Sequence, residues 1–150
     1  MTNNNETSKQ SQDFELIRFV NAQENIYPQV IAELRNGRKQ SHWMWFIFPQ
    51  IDGLGTSPTA KRYSIKSAEE AIAYLNHPLL GKRLLECFAI LMEIQGKTAE
   101  EIFGYPDYLK LQSSVTLFSI VNPQEEIFAQ VLEKYYKNKK DQRTIDLLNK

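Results

Sequence analysis

Apolar side chains recur along this chain at helical spacing. Tyr27, Val30, Ile31 and Leu34 stand at i, i+3, i+4 and i+7, which places them on one helix face. Leu80, Leu84, Phe88 and Leu91 keep helical spacing within 78–95, and Leu111, Val115 and Phe118 do so further on. Phe128, Val131, Leu132 and Tyr135 form another such stripe. The polar residues between the stripes mark the boundaries. Pro28 suits a first helical turn, where its missing N–H has no partner to lose, and Gly37 and Gly96 suit helix ends. Ser67 with Glu70, Thr98 with Glu101 and Asn122 with Glu125 have capping-box spacing, and Pro123 would then hold the first helical position. Asp13 can cap a helix running to about residue 25, and Asp141 can cap a short last helix carrying Ile145 and Leu148.

No stretch alternates apolar and polar residues over a strand's length. Segment 41–48 has aromatics and an isoleucine that suit a strand, but nothing in the chain offers it a partner. An unpaired buried strand leaves backbone groups unsatisfied, so a helical turn or short helix is expected there. An ordered loop with Gly53, Gly55, Ser57 and Pro58 follows. The expected fold class is all-α, in a compact single-domain multi-helix bundle spanning 13–150. Residues 1–12, rich in Asn, Thr, Ser and Gln, have too little to bury to offset the entropy of ordering, and they read as a disordered tail.

Composition narrows the function classes. The chain has 150 residues, 42% apolar and 24% charged, enough for one core without covalent staples. Lys+Arg and Asp+Glu are 18 each, so the formal net charge is zero and nothing global attracts nucleic acid or an anionic membrane. Cys87 is the one cysteine, which excludes an internal disulfide and fits a reducing compartment. On an apolar helix face it reads as an inert core thiol. The longest uncharged apolar run, 43–49, falls far short of the roughly 20 residues a bilayer span needs. The N-terminal stretch lacks a basic start and an apolar core, unlike a secretory signal. A soluble, cytoplasmic protein is expected.

Candidate chemistry concentrates in 38–50. Both tryptophans, Trp43 and Trp45, stand there beside His42, with Arg38 and Lys39 just before and a glycine-containing loop just after. Cations and loop amides can take an anion's charge, and an indole can stack on a flat ring. His42 can transfer a proton near neutral pH. The simpler reading makes both tryptophans core and His42 a partly buried residue bonded to a carbonyl. The loop is neither a Walker sequence nor GxGxxG. His77, before Pro78, either closes the preceding helix or offers a second imidazole. Asp107 and Lys110, three apart at a helix start, share a face. They form a local ion pair or turn Lys110 into a cleft. The hydroxyls of Ser113, Ser114 and Thr116 either bond back to helix carbonyls or line a pocket. Arg62 beside Tyr63 can bind phosphate or lie on a solvated face. Lys137, Lys139, Lys140 and Arg143 read as a basic surface patch. Two histidines and one cysteine, without close spacing, argue against zinc, and no metal is expected.

Ser41 through Gln50, reading SHWMWFIFPQ, resembles the family of domain of unknown function 1810. So do Arg18-Phe19-Val20, Glu33-Leu34-Arg35, Gly37-Arg38-Lys39, Gly53-Leu54-Gly55, Tyr63-Ser64-Ile65, His77-Pro78-Leu79-Leu80-Gly81, Ile102-Phe103-Gly104, Asp107, Lys110, Ser113-Ser114 and Thr116-Leu117-Phe118. The likeness covers nearly everything after the tail. It implies a compact all-helical domain, also described as a short helical horseshoe, and brings no activity, cofactor or catalytic residue with it. Some bacterial members carry the label calpastatin. Calpastatin's inhibitory segments are disordered, whereas this chain reads as folded. The family pattern includes polar positions matching His42, Gln50, His77, Asp107 and Lys110, which a helical core alone does not require.

Three functional expectations follow. The first is a site for an anionic, ring-bearing small molecule such as a nucleotide-like metabolite. His42, Trp43, Trp45, Gln50, Tyr63, His77 and Lys110 would line its cleft, with Asp107 beside Lys110 and Lys39 or Arg83 near the mouth. His42 would be the proton-transfer candidate and Lys110 the charge stabiliser. The second is a helical interaction module that docks a partner on an apolar groove. The third is a nucleic-acid accessory protein, which needs Lys61, Arg62, Lys82 and Arg83 gathered on one face.

Overall fold

The longest helix of this chain is almost entirely buried along its second half, with four other helices packed against it. The structure, a computed structural model, describes residues 14–150. The expectations for the tail at 1–12 and for Asp13 lie outside these residues. The described chain is all-α, with ten helices: α1 Ile17–Gln23, α2 Tyr27–Arg35, α3 Met44–Ile47, α4 Pro58–Arg62, α5 Ala68–Asn76, α6 Leu80–Glu93, α7 Ala99–Phe103, α8 Asp107–Val121, α9 Glu126–Tyr136 and α10 Gln142–Leu148. α8 packs against α5, α7, α9 and α10. α6 packs against α2, α5 and α9, and α1 packs against α3.

This packing explains the unusual sequence of α8. Every residue from Ser113 to Ser119 is buried. A helix packed against four neighbours needs small residues where they approach, and the hydroxyls of Ser113, Thr116 and Ser119 find partners nearby while that of Ser114 has none among the described residues. Ser119 donates to the Thr116 carbonyl at 2.8 Å, and Ser113 donates to the Leu109 carbonyl at 3.2 Å. The Thr116 hydroxyl accepts the Asp141 amide at 2.9 Å and so fixes the start of α10.

The apolar stripes meet in one buried cluster. Aromatic rings run through it in edge and tilted contacts: Phe48 to Phe88, Phe88 to Phe128, Phe128 to Phe118, Phe118 to Tyr74 and Tyr74 to Phe19. Cys87 lies in this core, and burial pushes its thiol up to about 12.

The caps follow the sequence with two corrections. Thr98 and Glu101 form the full reciprocal box. Ser67 accepts from the Glu70 amide, but the Glu70 carboxylate turns to Arg18, 2.7 Å away, and to the Lys66 amide. Asp141 accepts from the Thr144 amide at 3.2 Å. Asn122 makes no cap. α9 starts four residues later at Glu126, so Pro123 lies in a turn before the helix. Asn122 itself closes α8, donating its amide to Phe118, and the residue that leads into α9 is Glu125.

Segment 41–48 contains the expected short helix, α3. The loop after it is pinned at both ends by an isolated parallel bridge between Ile51 and Ile65, which the sequence reading did not foresee. The Asp52 amide donates to the Ile65 carbonyl, and the Ile65 amide to the Gln50 carbonyl, each at 2.8 Å. This bridge closes the excursion that carries α4.

Candidate functional site

Loop 54–57 faces the N-terminal half of α8 across an open cleft of about 530 Å³. Trp45 and Gln50 form one wall, with Leu54, Gly55, Thr56 and Ser57 from the loop and Ala60 from α4. Pro106, Leu109, Lys110, Gln112 and Ser113 come from α8 and the residue before it, and Asp141 and Arg143 come from the start of α10. The volume is in the range of small-molecule sites. A niche of about 20 Å³ opens beside it, lined by Trp45, Gln50, Ile51, Gly55, Ala60, Tyr63 and Ser64, room for about one water molecule.

Packing sets the loop's course. A Cβ on Gly55 would lie 2.5 Å from the Ala60 Cβ. Only glycine lets the loop run this close to α4 and keep the cleft open.

Trp45 is half-buried, and the Lys110 ammonium stands 5.2 Å from its ring centroid. Lys110 is also 3.6 Å from Asp107, one helical turn back. Asp107 is 2.8 Å from Lys39, whose ammonium meets the Ser41 carbonyl at 2.6 Å and stands over the Trp43 ring at 5.1 Å. The two cation–indole contacts are therefore joined through one carboxylate. The Asp141 carboxylate, which also lines the cleft, accepts from the hydroxyls of Ser113, at 2.9 Å, and Thr144, at 2.6 Å. Arg143 is exposed, and with Lys110 it gives the cleft two cations.

Of the residues singled out in the sequence, Trp45, Gln50 and Lys110 line the cleft, and Tyr63 lines its niche. Lys39 and Asp107 stand behind Lys110. The other candidates do not line it. Trp43 is 1% exposed and donates its indole N–H to Glu33 at 2.9 Å, so this tryptophan is core. His42 is exposed on the turn before α3. His77 sits between α5 and α6, where its Nδ1 accepts from the Leu79 and Leu80 amides at 3.1 and 3.2 Å; burial holds its pKa below the usual imidazole value. Arg83 stacks on the Tyr27 ring at 4.4 Å and donates to Gln23 at 3.3 Å. Lys61 and Arg62 line a separate cleft with Phe14, Glu15, Arg18, Lys66 and Glu70, in which neither Lys82 nor Arg83 takes part.

The sequence reading passed over Pro106, Leu109 and Gln112, took the loop holding Leu54 and Thr56 only as a source of backbone amides, and treated Asp141 as a cap and Arg143 as surface charge. Arg143 follows Asp141 by two residues at the start of α10, so the cap that orients the helix also brings the guanidinium to the cleft. The cap was legible, but the wall it meets was not. Ser113 does both things its pattern allowed: it bonds back to its own helix and lines the cleft.

A family model described as "Protein of unknown function (DUF1810)" matches residues 13–148. The chain belongs to this family. It is also similar to a solved structure, that of the conserved hypothetical protein Rv1873 from Mycobacterium tuberculosis, at 54% identity and a TM-score of 0.90. That likeness covers 92% of this chain and 99% of the other. No curated protein matches the chain. Among the described residues, no helix is long and apolar enough to cross a membrane, and no group of three or more His, Cys, Asp or Glu could hold a metal ion.

Proposed function

We propose that the cleft between loop 54–57 and α8 binds a small anionic molecule carrying a flat ring, such as a nucleotide-like metabolite. The observation that carries this reading is the pairing of an indole with two cations in one cleft: Trp45 with Lys110 beside it, and Arg143. Leu54, Pro106 and Leu109 supply apolar surface for the ring, and Leu109 is 41% exposed at the rim. Lys110 and Arg143 can take a phosphate or carboxylate, the guanidinium in bidentate fashion. The Gln50 amide and the Thr56 hydroxyl face the same space and can fix orientation. His42 does not line the cleft, so the reading is one of binding rather than proton transfer.

Thermal unfolding against a panel of nucleotides and phosphorylated metabolites tests it, because a ligand that binds only the native state raises the midpoint by mass action. A shift is expected for one ligand class in the wild type and in His42→Ala, and it should be lost in Lys110→Met and Arg143→Met. No shift with any ligand, or a shift that survives both cleft variants, would overturn the reading in favour of a helical interaction module.

A further inference from the structure

Two lysines claim the carboxylate of Asp107, and they do so unequally. Lys39 lies 2.8 Å from Oδ2, at hydrogen-bond distance. Lys110 lies 3.6 Å from Oδ1, too far for a good N–H···O bond. The Lys39 side chain is only 6% exposed and is held in place by the Ser41 carbonyl and the Trp43 face. The Lys110 side chain is 29% exposed and reaches the cleft. Charge pairs interact more strongly when closer and drier, so Asp107 is engaged mainly by Lys39.

We propose that Lys39 is a positioning residue for the cleft: by holding Asp107 from the buried side, it leaves the Lys110 ammonium free to meet an anion. The proposal rests on the reading of the cleft as an anion site. Without Lys39, Asp107 turns fully to Lys110 as an ordinary i,i+3 pair. The ammonium is then drawn back along α8 and its charge is cancelled where an anion would meet it. Lys39 touches no ligand and acts through Lys110. Its own position is set by the turn before α3, whose Gln40 and Ser41 amides are held by the Glu33 carboxylate.

Quenching of tryptophan emission by iodide, an anion, compared with acrylamide, which is neutral, tests this without a known ligand. Trp43 is buried, so the accessible emission is that of Trp45, beside Lys110. In the wild type iodide should quench strongly relative to acrylamide. Lys110→Met should lower the iodide-to-acrylamide ratio about two- to fourfold at low salt, the effect of one unit charge about 5 Å from the ring. Lys39→Met should lower it comparably, Lys39→Arg should leave it near the wild-type value, and Lys39→Met should add little in a Lys110→Met background. Should Lys39→Met fail to fold, Lys39→Gln, which keeps a donor for the Ser41 carbonyl, replaces it. An unchanged ratio in Lys39→Met, or an equal drop with and without Lys110, overturns the positioning role. A ratio that Lys110→Met itself leaves unchanged sinks instead the reading of the cleft as an anion site, and the two failures are thereby distinguished.

Discussion

The Glu33 carboxylate accepts the Trp43 indole N–H at 2.9 Å inside the core, and the same oxygen accepts the Gln40 and Ser41 amides. Its second oxygen accepts from the Ser41 hydroxyl and the Gln29 amide. One buried acid on α2 thus ties down the turn that leads into α3, and with it the positions of Lys39 and Trp45. Burial alone would raise its pKa, but the hydrogen bonds from Ser41, Gln40 and Gln29 together outweigh burial and hold it at about 2, below the ordinary 4.5.

The sign of the pH effect follows. A carboxyl whose folded pKa is depressed contributes stability that is fully present above about 4.5 and is lost as the pH falls toward 2. Glu33→Gln mimics the protonated acid and should cost about 3 kcal/mol at neutral pH. Urea unfolding at pH 7 and pH 3 checks this: the gap between wild type and variant should narrow at the lower pH. A gap of the same size at both would show that the charge on Glu33 is not what holds the turn.

His77 is expected to behave as a helix cap with a pH limit. Its neutral Nδ1 accepts two amides at the start of α6, and a protonated imidazole has no acceptor there. Its folded pKa lies below the ordinary 6.5 because burial disfavours the charged form, so its contribution is present above 6.5 and is lost as the pH falls through the lowered value. His77→Ala should cost about 1 kcal/mol at pH 8, and the difference from wild type should shrink at pH 5. His77→Asn, which caps without titrating, should keep its difference from His77→Ala across that range. Denaturant midpoints of the three proteins at both pH values decide the matter.

Two glycines should respond unequally to the same substitution. A Cβ on Gly81 would lie 2.0 Å from the Leu75 carbonyl oxygen, a backbone atom that cannot step aside. Gly81→Ala must therefore separate α5 from α6 and should cost about 3 kcal/mol. Gly96 has nothing within 4 Å of its Cβ position and a φ of +74°, so Gly96→Ala carries only left-handed strain, about 1 kcal/mol. Thermal midpoints of the two variants should differ clearly, and equal midpoints would mean that the α5–α6 junction gives way freely.

Much of the fold was legible in local chemistry. The stripe of Leu80, Leu84, Phe88 and Leu91 names a buried face because helical periodicity and burial are properties of a single segment. The Thr98–Glu101 box and the Asp141 cap were readable for the same reason: donor and acceptor lie within four residues of each other. The Asn122–Glu125 box was not, because the same local pattern competed with the end of α8, and tertiary packing let α8 run on to Val121.

The sequence alone determined that the chain is helical, that segment 38–50 is where aromatics and charge converge, and that Asp107 and Lys110 share a helix face. Tertiary structure decided which of the two tryptophans, two residues apart, meets solvent. Trp43 turns inward to Glu33 and Trp45 turns outward to Lys110, because α3 is a single turn whose successive side chains point in different directions. It also decided that Arg143 lines one cleft with Trp45 and Lys110 while His77 and Arg83 go elsewhere. Contacts between residues far apart in sequence depend on how α8, α10 and loop 54–57 pack, and no local pattern of residues encodes that arrangement.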